Sequence, residues 1–287
     1  MTTAVVETAD IAVRAWGLGK RYRKSVALED CAFDLPAGRV AALVGANGAG
    51  KTTLLTVLSG LLRPDSGEVS FRESERIAFV SQEKPVYKSF TPRAMLRMGA
   101  RLNLAWDQTR AQAWLKRFDV PLDRKCGQLS GGQRTQVALA LAIGSRPTLL
   151  LLDEPLSDLD PLARTEVMRE LLAEVAESGT TVMLSTHIVT ELAGVADHLL
   201  LLAHGKLLVG GDLDDLLAAH AMVVGPRADQ PPVAGEVLWA KHLDNQSVFL
   251  VKVSSAPVVS APWVVRPVSL EDYVLAQLSV TRKGESA

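Results

Sequence analysis

A glycine-rich segment followed by a lysine and two threonines, residues 45–53, most restricts how this chain folds. It lies between an apolar run of strand length, residues 40–44, and residues 51–62, which have the composition of a helix. A buried strand that enters a glycine-rich loop and continues into a helix is the opening unit of an α/β fold. The segment therefore predicts an α/β core with a mainly parallel sheet.

The chemistry of this loop is specific for phosphate. It matches the P-loop pattern G-x-x-x-x-G-K-[ST] and consists of Gly45, Ala46, Asn47, Gly48, Ala49, Gly50, Lys51, Thr52 and Thr53. Its successive backbone N–H groups and the positive N-terminus of the next helix point at one anion. Lys51 is placed to reach the outer phosphates, and the Thr52 hydroxyl is a ligand for Mg²⁺. The alternative is a tight turn with an exposed lysine, but the flanking strand and helix favour a nucleotide site.

Further apolar runs of strand length occur at residues 77–81, 148–153 and 180–185. Helix-forming stretches separate them, as in folds that join parallel strands by helices. Together with residues 40–44, these runs predict the core sheet of a P-loop NTPase. The sequence class is α/β.

Residues 88–144 differ from this pattern because helix formers dominate them. Thr91 followed by Pro92 is a helix N-cap with proline at the first helical position. Large side chains then recur at roughly helical spacing, which we interpret as core packing: Met95, Met98, Leu102, Trp106, Ala113, Trp114 and Phe118. We predict an α-helical insertion here.

The second half of the chain contains clear helix and turn signals. Asp160 followed by Pro161 predicts a helix N-terminus, and Gly179 predicts its end. His204 and Gly205 separate two apolar runs, which predicts a β-hairpin.

A proline-rich linker suggests a boundary between two domains. Pro226, Pro231 and Pro232 follow the main body, so we predict a first domain at residues 11–224 and a small α+β tail domain at residues 225–287. Within the tail, three short apolar runs and a final helix are predicted at residues 236–241, 248–253, 263–266 and 270–278.

Two neighbouring carboxylates follow the most apolar predicted strand. Asp153 and Glu154 come directly after residues 149–152, and ligand sites in open α/β sheets lie at the carboxyl ends of strands. Asp153 is therefore placed to hold Mg²⁺, and Glu154 to orient or deprotonate a water molecule. Two acids on a solvated turn are the alternative, which the P-loop makes less favourable.

Leu129, Ser130, Gly131, Gly132 and Gln133 form the sequence LSGGQ, which resembles the signature of ATP-binding-cassette (ABC) ATPases. Other motifs follow in the family's order, and their key residues are Tyr22, Gln82, Glu154, Asp160 and His187. The resemblance spans residues 11–224. It implies a P-loop NTPase core, a short antiparallel β subdomain and an α-helical insertion.

The resemblance also implies roles for these residues, with ATP and Mg²⁺ as the bound groups. Tyr22 would stack on adenine, Gln82 would contact Mg²⁺ or water, Glu154 would activate the attacking water, and His187 would contact the γ-phosphate. The catalytic set is then Lys51, Glu154 and His187, and the metal set is Thr52, Gln82 and Asp153. Taken singly, Tyr22 and Gln82 are ordinary surface side chains, and His187 is an ordinary structural histidine.

Ser130, Gly131 and Gly132 offer a second anion-binding nest in front of a predicted helix. In the family that this sequence resembles, two cassettes pack head to tail, and each ATP lies between one chain's P-loop and the other's signature. Gln133 and Asp160 belong to the same nucleotide-binding set. We therefore expect a homodimer with two complete sites.

Two features depart from the family pattern. The chain between Gly67 and Gln82 is short, so we expect a trimmed antiparallel subdomain. Asp158 occupies a position where the family often has a small residue, and the sequence leaves its effect open.

The amino-acid composition limits the kinds of molecule that this chain is expected to bind. The 31 Lys and Arg against 32 Asp and Glu give a net charge of −1, which argues against a nucleic-acid binder held by bulk charge. No apolar run approaches the roughly 20 residues of a spanning helix. If the chain serves a membrane, another chain must cross it, with this one at the cytoplasmic face. Cys31 and Cys126 exclude a disulfide scaffold and indicate two free thiols.

These observations predict the ATPase subunit of a membrane transporter. A membrane subunit would dock just after Gln82, at Pro85, Val86, Tyr87 and Phe90, although Val86 and Phe90 could instead staple the next helix. The tail segment VSLEDY, residues 268–273, resembles drug- or antibiotic-export cassettes and favours export.

Two other functions remain as alternatives. The first is a soluble ABC ATPase acting on the ribosome or DNA, which usually carries two cassettes in one chain or a long coiled-coil insertion. The second is a non-cassette P-loop enzyme such as a small-molecule kinase, which has no need of residues 129–133.

Overall fold

The computed structural model describes residues 10–23, 25–192 and 194–284. The strands in chain order are β1 (Ile11–Tyr22), β2 (Ser25–Pro36), β3 (Val40–Val44), β4 (Ser66–Phe71), β5 (Ile77–Val80), β6 (Leu149–Asp153), β7 (Thr181–Thr186), β8 (His198–Ala203), β9 (Lys206–Asp212), β10 (His220–Pro226), β11 (Glu236–His242), β12 (Gln246–Lys252) and β13 (Val264–Arg266). The α-helices are α1 (Lys51–Leu58), α2 (Pro92–Leu102), α3 (Gln108–Arg117), α4 (Gly131–Gly144), α5 (Pro161–Ser178), α6 (Leu213–Ala218) and α7 (Leu270–Gly284).

The central sheet has the strand order β5-β6-β7-β3-β8-β9. The first five strands are parallel, and β9 pairs antiparallel with β8. In β6, Leu150 and Leu152 contribute to one hydrophobic core, whereas Leu149 and Leu151 contribute to the other. Both faces of the strand are therefore buried, which explains its unbroken apolar sequence. The predicted mainly parallel core is confirmed.

The register of this sheet gathers three strand ends at one edge. Val44 of β3 pairs with Thr186 of β7, and Asp153 of β6 pairs with Ser185 of β7. The P-loop, the two carboxylates and the histidine segment follow these strands directly, so they leave the sheet side by side.

The antiparallel subdomain contains β2, β1 and β4 in that order. Its β1 pairs with both neighbours, and β4 returns to the central sheet through a short connection to β5. The predicted short antiparallel subdomain is confirmed.

The predicted helical insertion, residues 88–144, contains α2, α3 and α4. Trp106 lies against Gly99 and Gly144, where an added Cβ would come within 2.6 Å and 2.8 Å of its ring, so these glycines give the indole its space. Trp114 is buried and donates its indole N–H to Gln136 Oε1 at 2.9 Å. Most of the large side chains that recur at helical spacing between Met95 and Phe118 are buried or partly buried, as predicted.

Two of these residues, Leu102 and Ala113, are exposed instead. Leu102 is the last residue of α2 and lies beyond the packed part of the helix. Ala113 lies off the face of α3 that buries Ala111, Trp114 and Leu115. Three- and four-residue spacing defines that face, and Ala113 does not share it.

Helix ends follow local backbone geometry. The helix predicted over residues 51–62 ends one turn earlier, at Leu58, because Gly60 turns into the left-handed region with φ 77°. In α5 both predicted ends are confirmed: Asp160 accepts a hydrogen bond from the Ala163 N–H, and Gly179 ends the helix with φ 64°.

The tail forms a four-stranded antiparallel sheet in the order β11-β12-β10-β13, followed by α7. Strand β10 crosses the predicted boundary at residue 224, so the tail sheet begins at His220. Met222, Leu250 and Tyr273 share one hydrophobic core with the central sheet. The three prolines lie in or beside the loop between β10 and β11, which both belong to the tail sheet. They mark a loop of this sheet because strand pairing across the fold, and not local sequence, decides where the sheet begins.

No helix in the described ranges has the combination of length and hydropathy needed to cross a membrane.

Candidate functional site

The P-loop curls over the end of β3 and is held there by close backbone contacts. Gly50, the N-cap of α1, has φ 108°, and an added Cβ would collide with the Ala27 carbonyl. The Gly205 N–H, in the turn between β8 and β9, donates to the Ala49 carbonyl at 3.0 Å. The loop is therefore shaped before any ligand arrives, which lowers the ordering cost of binding.

Lys51 is almost completely buried at the mouth of this loop. Its ammonium donates to the Gly45 carbonyl at 2.7 Å and to the Ala46 carbonyl at 3.3 Å. It also lies 3.6 Å from Glu154 Oε1. A buried ammonium held by carbonyls and a carboxylate is a local positive charge that suits an anionic ligand.

Asp153 offers one buried oxygen for a cation. Ser185 donates its hydroxyl to Asp153 Oδ1 at 2.6 Å, whereas Oδ2 is buried without a hydrogen-bond partner in the described structure. Within the described ranges no three His, Cys, Asp or Glu cluster as a metal site. Mg²⁺ does not require such a cluster, since one or two protein oxygens and substrate phosphates commonly suffice. The orphaned Oδ2, with the Thr52 hydroxyl in the neighbouring cleft, fits Mg²⁺.

Glu154 is held in a strained and largely buried position. Its φ of 45° lies in the left-handed region, which a non-glycine residue rarely adopts. Its backbone N–H donates to both the carbonyl and the hydroxyl of Ser185, at 3.2 Å and 3.0 Å. The strained backbone turns the carboxylate from the strand end toward Lys51 and His187.

His187 contacts Glu154 directly. Its Nδ1 lies 3.0 Å from Oε1 and 2.9 Å from Oε2 of the carboxylate, while about half of the His187 side chain is exposed. The family pattern suggested a contact between His187 and the γ-phosphate. The pairing with Glu154 was not predicted.

An open cleft of about 370 Å³ joins these groups to more distant residues. It is lined by Tyr22, Ala27, Asn47, Gly48, Ala49, Gly50, Lys51, Thr52, Thr53, Gln82, Glu154, Ser157 and His187. Tyr22 from the end of β1 and Gln82 from beyond β5 therefore line the same cleft as the P-loop. Gly45 and Ala46 hold Lys51 from below, and Asp153 is buried at the strand end.

Signature residues Ser130 to Gln133 lie at another place, and they do not line this cleft. Ser130 accepts from the Gln133 N–H at 3.1 Å, and Gln133 Oε1 accepts from the Ser130 N–H at 3.2 Å, a capping box. Gly131 and Gly132 form the first turn of α4. Asp160 likewise lies outside the cleft, at the N-cap of α5.

Sequence reasoning missed Ser185 and Lys84. Ser185 bonds to Asp153 and Glu154, and the register of β6 with β7 explains this contact. Lys84 donates to Ser157 and Asp158, which lie 73 and 74 residues away. No local pattern could reveal either partnership, because each depends on a long-range contact.

Cys31 and Cys126 are free and buried. The Cys31 thiol donates to the Gly205 carbonyl at 3.1 Å, beneath the hairpin turn that supports the P-loop. Burial raises the pKa of both thiols. They therefore stay protonated and act as small apolar side chains.

Comparison with known proteins identifies the family. The sequence model described as ABC transporter matches residues 28–157, and one described as an AAA domain of a putative AbiEii toxin matches residues 125–193. The aliphatic sulfonates import ATP-binding protein SsuB of Escherichia coli K12 is 36% identical over 202 residues, covering 66% of this chain and 76% of SsuB. The chain belongs to the ABC transporter ATP-binding proteins.

Other ABC relatives extend this similarity. The ABC transporter ATP-binding protein YtrB of Bacillus subtilis strain 168 is 26% identical over 290 residues, covering 93% of this chain and 98% of YtrB. The molybdenum import ATP-binding protein ModC of Mycobacterium tuberculosis H37Rv is 34% identical over 222 residues, covering 69% and 60%. The YtrB alignment includes most of the tail.

Solved ABC structures agree with the fold. An ATP-binding subunit of an ABC transporter has a TM-score of 0.64 and 28% identity, covering 71% of this chain and 91% of that one. A dimeric bacterial ABC transporter cassette has a TM-score of 0.63 at 24% identity, covering 70% and 98%, a likeness of fold alone. This chain is an ABC ATP-binding subunit and, like its family, an ATPase.

Proposed function

We propose that this ABC subunit binds ATP together with Mg²⁺ in the cleft over the P-loop and uses the hydrolysis of ATP to drive transport through a separate membrane subunit. The main observation in support is that four side chains converge at one edge of the central sheet: Lys51, Asp153, Glu154 and His187. Sequence places these groups on three segments, and chance would not bring them together beside a phosphate-binding loop.

ATP binding begins with the triphosphate in the P-loop. Backbone N–H groups of residues 46–50 and the N-terminus of α1 surround the phosphates, and the Lys51 ammonium exchanges carbonyl partners for phosphate oxygens. Tyr22 is about half exposed at the rim of the cleft, where its ring is available to stack on adenine.

Thr52, Asp153 and Gln82 are the proposed magnesium-binding residues. The unpartnered Asp153 Oδ2 supports the assignment, and Ser185 fixes the other carboxylate oxygen. When bound, Mg²⁺ neutralises charge on the phosphate oxygens.

Hydrolysis then uses Glu154 as a general base. Its carboxylate accepts a proton from water as the water oxygen bonds to the γ-phosphorus and the bond to the ADP oxygen breaks. His187 holds this carboxylate in one orientation, and Lys51 stabilises charge on the departing phosphates. The products are ADP and inorganic phosphate.

A second copy of the chain would complete each site. Ser130, Gly131, Gly132, Gln133 and Asp160 lie outside the cleft of their own chain. The N-termini of α4 and α5, each capped by a side chain of its own chain, carry these residues elsewhere on the surface. The head-to-tail homodimer predicted from the family pattern would bring α4 to the partner's γ-phosphate.

The membrane subunit is proposed to dock after Gln82. Tyr87 and Phe90 are exposed, with ring centroids 5.3 Å apart, and they form a small aromatic patch. Val86 instead packs against the main core. The proposed docking patch therefore consists of Pro85, Tyr87 and Phe90, and a chain bound to a membrane subunit there would lie at the cytoplasmic face of the membrane.

Export, the direction of transport that the sequence suggested, has no support from the known relatives. Export rested on residues 268–273, but this segment has a structural explanation. Ser269 accepts from the Asp272 N–H at the start of α7, and Val268, Leu270 and Tyr273 are buried in the core. SsuB and ModC are named as import proteins, so export is not retained in the proposal.

The alternative of a soluble cassette acting on the ribosome or DNA is not favoured. The aromatic patch and the near-neutral charge argue for a protein partner. Purification from detergent-solubilised membranes distinguishes them: we expect co-purification with a multi-spanning protein that the double variant Tyr87→Ala/Phe90→Ala loses. Recovery with ribosomes or DNA instead would reject the transporter assignment.

A further inference from the structure

Lys84 is a buried cation outside the catalytic cluster. Its side chain is 2% exposed, and its ammonium donates to Ser157 Oγ at 3.0 Å and to Asp158 Oδ2 at 2.9 Å. The Asp158 side chain is 50% exposed. Burying an ammonium is costly unless it is paired, so this contact has to be satisfied in the folded chain.

The backbone of Lys84 belongs to the Gln82 loop. Lys84 has φ 46°, and its N–H donates to the Ser81 carbonyl at 2.9 Å. This tight turn connects Gln82, which lines the ATP cleft, to a side chain that points into the interior. Movement of the Gln82 loop therefore moves the ammonium of Lys84.

The partners of Lys84 connect the ATP cleft to the signature helix. Ser157 lines the cleft itself. Asp158 packs on the first residue of α4, since a Cβ on Gly131 would lie 3.4 Å from the Asp158 Cβ. Similarly, a Cβ on Gly132 would lie 2.9 Å from Leu159 Cδ2. One ion pair thus joins the Gln82 loop to the N-terminus of α4 in the same chain.

We propose that Lys84 is a positioning residue that couples ATP in its own cleft to the signature helix that serves the partner's cleft. ATP at Gln82 moves the loop, Lys84 carries Ser157 and Asp158 with it, and Asp158 shifts Gly131 at the start of α4. This also gives Asp158 a role, as the anion that fixes the Lys84 ammonium. The inference rests on the head-to-tail pair of the proposed function.

The test measures single-site ATP binding and ATP-dependent pairing separately. Lys84→Met and Asp158→Asn are each introduced into the Glu154→Gln protein. ATP is then added stepwise in the presence of Mg²⁺, and light scattering measures the fraction of dimer. A fluorescent ATP analogue at low protein concentration reports single-site affinity. We expect half-maximal pairing to need about tenfold more ATP in each variant, with single-site affinity unchanged within about twofold.

Two comparisons make the result specific. Lys116→Met makes the same change at an exposed position on α3 and should pair like the parent. The double variant Lys84→Met/Asp158→Asn should be no worse than either single variant, because both remove one interaction. If Lys84→Met fails to fold, Asp158→Asn carries the test, since its side chain is half exposed.

Pairing within twofold of the parent in both variants would overturn the role of Lys84, as would an equal loss of single-site affinity. A parent that never pairs would count against the homodimer instead. The inference would then be rejected together with the pair on which it rests, whereas a parent that pairs alongside variants that pair equally well would reject the inference alone.

Discussion

Nδ1 of His187 lies 2.9 Å from Oε2 of Glu154, so the histidine that follows β7 directly orients the carboxylate that follows β6. The two segments meet because Asp153 and Ser185 are paired residues of neighbouring strands. The Glu154 carboxylate, our proposed catalytic base, therefore has a fixed direction. Its geometry depends on the sheet register as much as on its own sequence motif.

Lys51→Ala removes the buried ammonium from the P-loop. We expect ATP affinity to fall at least about tenfold and hydrolysis to be lost, because no other buried cation in the described structure lies at the loop mouth. Isothermal titration with ATP and Mg²⁺ measures the affinity. Lys116→Ala, on the exposed face of α3, should bind normally, and unchanged hydrolysis in Lys51→Ala would contradict the site.

Glu154→Gln keeps the shape of the side chain and removes the base. We expect turnover to fall by about 10² to 10⁴ while ATP stays bound, so that a dimer accumulates with ATP and Mg²⁺. Steady-state phosphate release and light scattering measure the two effects. Glu166→Gln, at an exposed position of α5, is the matched control, and finding only monomers in Glu154→Gln would argue against the pair of cassettes.

Tyr22→Ala tests the adenine contact. We expect ATP affinity to fall by about tenfold, corresponding to the loss of one aromatic stacking contact, with little effect on inorganic phosphate. Competition titrations of both ligands give the ratio. Trp16→Ala removes another half-exposed ring of β1 and should change neither affinity; equal losses for both ligands in Tyr22→Ala would remove the stacking role.

Ser185→Ala deletes one hydroxyl that serves both carboxylate residues. It leaves Asp153 Oδ1 and one bond of the Glu154 N–H unsatisfied, so we expect about 1–3 kcal/mol of lost stability and a higher Mg²⁺ requirement. Thermal denaturation and Mg²⁺ titration of ATP binding measure these changes. Ser254→Ala, at an exposed position, should have neither effect, and a wild-type Mg²⁺ requirement in Ser185→Ala would show that the hydroxyl does not position the metal residue.

The two thiols should be protected in the folded chain. Burial raises the pKa of Cys31 and of Cys126, so less thiolate is present at pH 8 than in the unfolded chain. We expect iodoacetamide to modify both residues much more slowly before than after denaturant is added, as measured by mass spectrometry. Rapid modification of Cys31 in the native protein would show that the hairpin beneath the P-loop opens freely.

Local sequence predicted much of this molecule because its signals act over short distances. Asp160 and Gly179 mark the ends of α5, since helix capping involves only residues next to the helix end. The P-loop follows β3 directly, so its pattern is complete within one segment. Gly60 shows the limit: the sequence suggested a helix through residue 62, but a left-handed glycine ended it sooner.

Long-range pairing decided what the sequence left open. The tail sheet starts at His220, before the predicted boundary, because β10 pairs with β12 and β13. The export interpretation of residues 268–273 has no support from SsuB and ModC, which are named as import proteins. The motifs and their order along the chain were sufficient to identify the P-loop residues and the two neighbouring carboxylates, Asp153 and Glu154. Only the folded sheet determined that His187 orients Glu154 and that Lys84 meets Asp158, since such contacts require atoms that are distant in sequence to be close in space.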